Sequence, residues 1–538
     1  KEVYQIIDNK WDFLAAQQQK IGQRANYRIS DVPPGPNDIK LEDVTPKTRV
    51  ITLAQAVALA TAQNRDYQTQ KESLYQKALD LTGERYKYAL KWFGTIDTTY
   101  TDNKSNGDDV EATASGGISK SSLLLDGIIV NTRIAIDWAR FLTGDPRTTI
   151  GSVLSGDFTV PLLGSGAGKV AWENLTQAER DVLYQIRLFN RFRKTFVVDI
   201  IDDYYSVLQQ KDAVTNAENN YKMQEESKKR LDELGKAGRV ARINVDEAEQ
   251  SLLSAQNAWV RAQQRYEQAL DQFKIKLALP TDADIELDPN ELIALKAAYE
   301  AGLSEPNYTV DEAIETALAT RLDLANSIDA VDDAVRKLEL AAEGLGLQLN
   351  LVGSLDVSSP DKTRFTRLQF QRGIYSLGGQ ADLPLDRKNQ RNAYREKLIT
   401  LTQQQRTLEN ELDNVKLQVR NALRQLREQA ESYRIQKLAV ELAQRRVESN
   451  QLLLDAGRIE VRLLLDAQNA LLAAQNAFTA ALVDHTIAKL SFFRDVGILQ
   501  VRPDGMWQDV AAATENTIGT PLRGNPEHNN KCNTMNES

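Results

Sequence analysis

Few residues of this chain could make or break bonds, and none stand at a spacing that would let them do so. Histidine occurs only at 485 and 528. A zinc or acid–base site would need an HExxH pattern, clustered cysteines or an isolated acidic pair, and the sequence has none of these. His485 therefore reads as an imidazole packed between helices. Cys532 is the single cysteine, which excludes an intrachain disulfide or a CxxC metal site. The run Gly164-Ser165-Gly166-Ala167-Gly168-Lys169 invites a phosphate-loop reading, but such a loop needs glycine where Leu163 stands and Ser or Thr where Val170 stands. A strand-to-helix turn is expected there instead. The Asp and Glu residues read as solvated helix faces and intrahelical pairs with Lys or Arg. No catalytic residue, metal or cofactor is expected.

Composition narrows the class further. The net charge is -9 over 538 residues, and the basic residues alternate with acids rather than gathering on one face, which argues against a nucleic-acid partner. Only 14 Pro and 28 Gly punctuate the chain, too few for ordinary globular packing. No run approaches ~18 apolar residues, so no transmembrane helix is expected, although a β-barrel span would leave no such run. The chain opens at Lys1 with no signal-peptide apolar core, as expected of a mature or truncated chain.

The elements that could position anything are set by an internal duplication. Thr52-Leu53, Ala56-Val57, Ala60 and Asp66 recur as Thr309-Val310, Ala313-Ile314, Ala317 and Asp323. Leu252-Leu253-Ser254-Ala255-Gln256-Asn257-Ala258-Trp259 recurs as Leu471-Leu472-Ala473-Ala474-Gln475-Asn476-Ala477-Phe478. The offset shrinks between the two matches, so the first half holds extra residues, expected in a loop between strands.

Pro161 to Pro280 and Pro384 to Pro503 are proline-free, and both carry apolar residues at helical spacing. Leu398, Leu401, Leu408, Leu412, Val415, Val419, Ala422 and Leu426 form a heptad seam. Each stretch turns once, at Gly235 and Gly238 in the first and at Gly457 in the second, where left-handed backbone is least costly. Two long helical hairpins follow, the first arm, 171–234, being roughly 95 Å at ~1.5 Å per residue. The return arms, 239–279 and 458–500, are shorter, and the helical segments 52–92 and 309–345 have the length to stack on them end to end.

Between the helices the period drops to two. Strands are expected at 94–102, at 126–140 with 152–160 counted as one divided strand, at 347–358, and at 367–383 with a bulge near Gly373. Four such strands cannot close a barrel, and open edges are not tolerated in lipid. Three copies would supply ~12 strands, enough for a transmembrane barrel. Trp92, Phe93, Trp138 and Phe158 lie near strand ends, either as an interfacial girdle or filling the junction between strands and helices.

Across 51–502 the sequence resembles the TolC-like outer-membrane efflux protein family. The resemblance is carried by Thr52 to Asp66, by Gly238, Val240, Ala241, Val245 and Ala248 at the first tip, by Pro161-Leu162-Leu163 and Pro384-Leu385-Asp386-Arg387, and by Gly457 through Asp466-Ala467. It implies a mainly α fold with a membrane β-barrel part: a homotrimer with a 12-strand barrel in outer-membrane lipid, continuous with a 12-helix periplasmic α-barrel. Such a duct docks on a periplasmic adaptor and an inner-membrane pump or secretion ATPase. The family's aspartate rings fall on Asp466 and, in departure from the pattern, on Leu463, which makes these two the expected constriction. Gly238, Arg239, Val240, Gly457, Arg458 and Ile459 are the expected adaptor contacts.

The expected division is an N-terminal segment 1–50, first-repeat helix 51–93, strands 94–161 and hairpin 162–280, then an equatorial linker 281–307. Second-repeat helix 308–346, strands 347–385, hairpin 386–502 and a C-terminal tail 503–538 complete it. A soluble coiled-coil scaffold is the competing reading, favoured by the heptads, but it leaves the alternating segments unexplained; an envelope tether without transport would share the fold and lack only an open route.

Overall fold

The computed structural model describes residues 49–89, 91–103, 109–123, 128–141, 148–163, 166–302, 306, 308–360, 367–382 and 386–501. His528, Cys532, Gly164, Ser165, Pro384 and Leu385 lie outside these residues, as do the expected terminal segments apart from Arg49 and Val50. The chain divides into two units, one holding Lys1–Gln68, Phe192–Arg321 and Lys416–Ser538, the other Thr69–Arg191 and Leu322–Val415.

In the first unit the duplication is visible as matched local chemistry. Helices α1 (Leu53–Gln63) and α6 (Val310–Thr320) both begin with capping boxes, Thr52 with Gln55 and Thr309 with Glu312. Each helix was expected to run on, as 52–92 and 309–345; instead each breaks after one short segment. The chain restarts as α2 (Arg65–Lys87) and α7 (Leu322–Glu343), with Asn64 and Arg321 in extended conformation between. Asn64 explains its own break. Its Oδ1 accepts from the amides of Asp66 and Tyr67 at 2.9 and 3.0 Å, capping α2, while its Nδ2 donates to the Lys276 carbonyl at 2.7 Å.

That carbonyl is the last of α4 (Arg242–Lys276), so the return arm ends on the α1–α2 junction. The second half repeats the arrangement: the Thr320 hydroxyl donates to the carbonyl of Val496, the last residue of α9 (Val461–Val496), at 2.6 Å. In both halves the last carbonyl of the return arm is thus held by a residue at the end of the short first helix. The long arms are α3 (Gly166–Lys236) and α8 (Lys388–Asp455), each contributing residues to both units. Between the halves lie β1 (Val50–Ile51) pairing parallel with β6 (Glu286–Leu287), and α5 (Asn290–Ala301). Tyr204, Phe273, Ile51 and Leu287 are fully buried here, and the Tyr204 hydroxyl donates to the Ile51 carbonyl at 3.1 Å.

His485 is a packing residue, 1% exposed, with its Nδ1 2.7 Å from the Tyr299 hydroxyl. Burial, aided by the charges of Lys489 and Arg434, lowers its pKa to about 4, below an ordinary histidine. The folded state therefore binds this proton less readily than the unfolded state, so its contribution destabilises the protein as pH falls from about 6.5 to 4. Replacing His485 with glutamine should flatten the acid side of the thermal-stability profile, removing on the order of 3 kcal/mol of pH-dependent loss. An unchanged acid limb in the variant would contradict this.

The second unit holds an antiparallel sheet in the order β2 (Lys91–Asn103), β3 (Asp109–Leu123), β4 (Ile129–Phe141), β5 (Thr148–Leu163), β7 (Gln348–Ser358), β8 (Ile374–Asp382). Six strands replace the four expected. The stretches 126–140 and 152–160 are two antiparallel strands rather than one divided strand, and the extra first-half residues form β3 rather than a loop. The run Ala112-Thr113-Ala114-Ser115-Gly116-Gly117 carries no large side chains and so shows no alternation. Gly117 is required: a Cβ there would lie 2.9 Å from the Ile134 carbonyl. The bulge expected near Gly373 is a 3₁₀ turn, Phe370–Arg372, ahead of β8. The register shift falls instead between Pro161 and Leu163, where proline withholds a ladder donor.

Register sorts the sheet into two faces. Cross-strand partners share a face, so Ile96, Gly116, Ile136 and Ser152 lie together, as do Gly94, Ile118, Ile134, Leu154 and Val357. Phe158, Leu351, Leu355, Tyr375 and Leu377 continue this apolar face. Ile96, Ile118 and Leu377 are 86%, 58% and 73% exposed, so the face is unpartnered in one copy. Phe158 does not stand at a strand end; its ring lies over Gly353, where a Cβ would meet it at 2.2 Å. Trp92, Phe93 and Trp138 lie in β2 and β4. The opposite face carries Asp97, Ser115, Arg133, Asp157, Ser354 and Ser376, with Asn131 donating to Asp157 at 2.9 Å and the Ser354 and Ser376 hydroxyls 2.6 Å apart.

Within the same unit α3 and α7 run antiparallel, joined by a ladder of ion pairs. Arg191 meets Asp323 at 2.6 Å, Arg187 meets Asp329 at 2.5 Å, Arg180 meets Asp333 at 2.7 Å and Arg336 meets Glu173 at 3.0 Å. These acids were expected to be solvated or paired within their own helices; all four reach across to the other helix, and Asp333 also pairs with Arg336 on its own.

Candidate functional site at the hairpin tips

Both hairpins turn with the same hydrogen-bond motif. At the end of α3 the Gly238 amide donates to the Gly235 carbonyl at 3.0 Å and the Arg239 amide to the Leu234 carbonyl at 2.9 Å. At the end of α8 the Gly457 amide donates to the Leu454 carbonyl at 2.9 Å and the Arg458 amide to the Leu453 carbonyl at 2.9 Å. This is a Schellman ending, and it needs a left-handed residue at the turn: Gly238 has φ 70° and Gly457 φ 67°. A Cβ would meet nothing within 4 Å at either glycine, so the requirement is conformational rather than steric. Gly238→Ala or Gly457→Ala should each weaken its tip by about 1–2 kcal/mol. Faster amide exchange confined to 230–245 or 450–465 would show it, and unchanged protection would contradict it.

The tips are brought together by one apolar cluster. Leu231, Ala248, Val461 and Leu465 are buried in it, with Val240 and Leu454 packed against them, so all four arms contribute. Arg230 of α3 meets Asp455 of α8 at 2.5 Å. Around this base the expected contact residues divide: Gly238, Arg239, Gly457 and Arg458 are exposed, while Val240 and Ile459 are half-buried. Arg239 and Arg458 thus present two exposed guanidinium groups at equivalent positions of the two turns.

Leu463 and Asp466 lie on the first turns of α9 and are both exposed. The Asn450 side chain donates to the Leu463 carbonyl at 2.9 Å, fixing the start of this helix. The Asp466 carboxylate is 3.9 Å from Arg462, a loose surface pair. In one copy the two residues form no closed site. Their equivalents in the first half, at the same steps from Gly238, are Asn244 and Glu247. Glu247 was legible in the duplication as a second acidic tip position and was not singled out from sequence; like Asp466 it is exposed.

Among the described residues no group of three or more His, Cys, Asp or Glu side chains could hold a metal ion, and no helix is long and apolar enough to cross a membrane. No family model matches the chain, and no curated protein sequence matches it. Solved structures do. The outer-membrane channel OprN superposes with a TM-score of 0.60 at 15% identity, over 88% of this chain and 98% of OprN. The Campylobacter jejuni outer-membrane channel CmeC gives 0.60 at 15% identity, over 86% and 88% of the two chains. The open-state Neisseria gonorrhoeae MtrE channel gives 0.60 at 13% identity, over 83% and 89%. Likeness at these identities is likeness of fold, and the fold of this chain is TolC-like, that of these outer-membrane channels.

Proposed function

We propose that the chain is one protomer of a trimeric outer-membrane exit duct, through which solutes or proteins leave the periplasm passively and no bond is made or broken. The observation that carries this is the sheet: one face apolar and exposed, the other lined by Asp97, Arg133, Asp157 and serines, and, among the described residues, both edges open. An apolar face toward lipid and a polar face toward water are what a channel wall requires. The TolC-like fold supports the same reading and points to the efflux channels it resembles.

In this reading Arg239, Val240, Arg458 and Ile459, set on the Gly238 and Gly457 turns, meet a periplasmic adaptor of an inner-membrane pump or secretion ATPase. Copies of Leu463 and Asp466 converge as the periplasmic constriction, an apolar ring beside an acidic one. The test is extraction. The protein should sediment with outer membranes, leave them only in detergent, and migrate as a heat-modifiable oligomer. Recovery without detergent would overturn the duct and favour the coiled-coil scaffold.

A further inference from the structure

We infer that the wall closes by pairing β8 of one copy with β2 of the next, in an antiparallel register that sets Ser376 opposite Asp97, so that every copy contributes all six strands. The inference rests on the duct reading and deepens it. β2 and β8 are the two edges of the sheet, and an unpaired edge cannot persist in hydrocarbon. Because the strand number is even and every neighbour is antiparallel, β8 and the next β2 also run antiparallel, so one ladder serves the whole ring.

Two constraints choose the register. The apolar face falls on even-numbered residues of β2 and odd-numbered residues of β8, so an even position must oppose an odd one for the faces to continue. The helix-bearing ends must also match, which places Asp382, the last residue of β8, level with Lys91, the first of β2. Followed across the sheet, the row of Lys91 passes Ser121, Asn131, Asp157 and Ser354 to Ser376. Matching the ends therefore offsets the ladder by roughly six residues per copy, and six strands ~4.8 Å apart with ~3.3 Å per residue then tilt by about 35°, within the range of closed barrels. A shift the other way would set β8 against α2, which offers no ladder. Three copies give about 18 strands rather than the 12 of the resemblance, and a bore about half as wide again, since diameter grows with strand number. Such a lumen admits bulky cargo without selecting among it.

The experiment pairs Ser376→Cys with Asp97→Cys in a Cys532→Ser background, oxidised in isolated outer membranes. Covalent dimers and trimers are expected, with little cross-linking when Ser376→Cys is paired with Thr99→Cys. A preference for Thr99→Cys would overturn the register. Membrane-inserted oligomers without any β8–β2 cross-link would overturn the edge pairing while leaving the duct reading intact, whereas a chain that never enters the membrane would overturn both. On the unaltered protein, a view down the axis of the detergent-purified assembly should show 18 strands, and 12 would contradict the proposal.

Discussion

Asp333→Ala should lower stability by about 3–5 kcal/mol. Asp333 is 5% exposed and holds four partners: Arg180 at 2.7 Å, Arg336 at 2.9 Å, the Tyr184 hydroxyl at 2.7 Å and the Gln177 amide at 3.1 Å. Burial and the neighbouring Asp333 carboxylate push the Tyr184 phenol up to about 12, so it donates its proton across the working pH range. Removing the carboxylate leaves the half-buried Tyr184 hydroxyl without its acceptor and brings Arg180 and Arg336 together with only Asp329 and Glu173 to offset them. Asp329→Ala, at a more exposed rung, should cost about 1 kcal/mol. Thermal unfolding of the purified oligomer separates the two, and equal small shifts would show that the ladder is solvated.

The second large effect concerns the sheet. Ile134→Arg should lower the stability of the membrane-inserted protein by about 2–4 kcal/mol, because the apolar face would then carry a charge into lipid. Ile134 is 54% exposed in the single copy and sits opposite Ile118 and Leu154. The matched control is Ser115→Arg on the other face, beside Asp97, which should be neutral or mildly stabilising. Urea titration in lipid vesicles reads both. A tolerated Ile134→Arg with a disruptive Ser115→Arg would mean that the faces are reversed.

Much of this architecture could be read from residues. The duplication paired the segments starting at Thr52 and Thr309, which the structure shows as matched capping boxes, and the glycines placed both turns, where left-handed backbone ends the helix. The strand regions carried alternation wherever large side chains were present, as in Ile128 to Ile136. β3 escaped because small residues leave no periodic contrast, and β4 and β5 were read as one interrupted strand. The helix breaks at Asn64 and Arg321 were hidden because the apolar period continues across them; Asn64, an N-cap residue type ahead of Asp66, was the available signal. The ion ladder was illegible because pairing between helices depends on how α3 and α7 meet, which no single helix records. At the tips the turns were readable, whereas the constriction proposed for Leu463 and Asp466 would depend on neighbouring copies, which one sequence does not place.

The central claim is that this chain assembles into a gated water-filled duct, and single-channel recording of detergent-purified protein in planar bilayers tests it most directly. The expected result is a small, stable conductance in the unaltered protein that rises several-fold in Leu463→Ala or Asp466→Ala, identifying the constriction. Failure to insert, with no conductance from any of the three proteins, would contradict it.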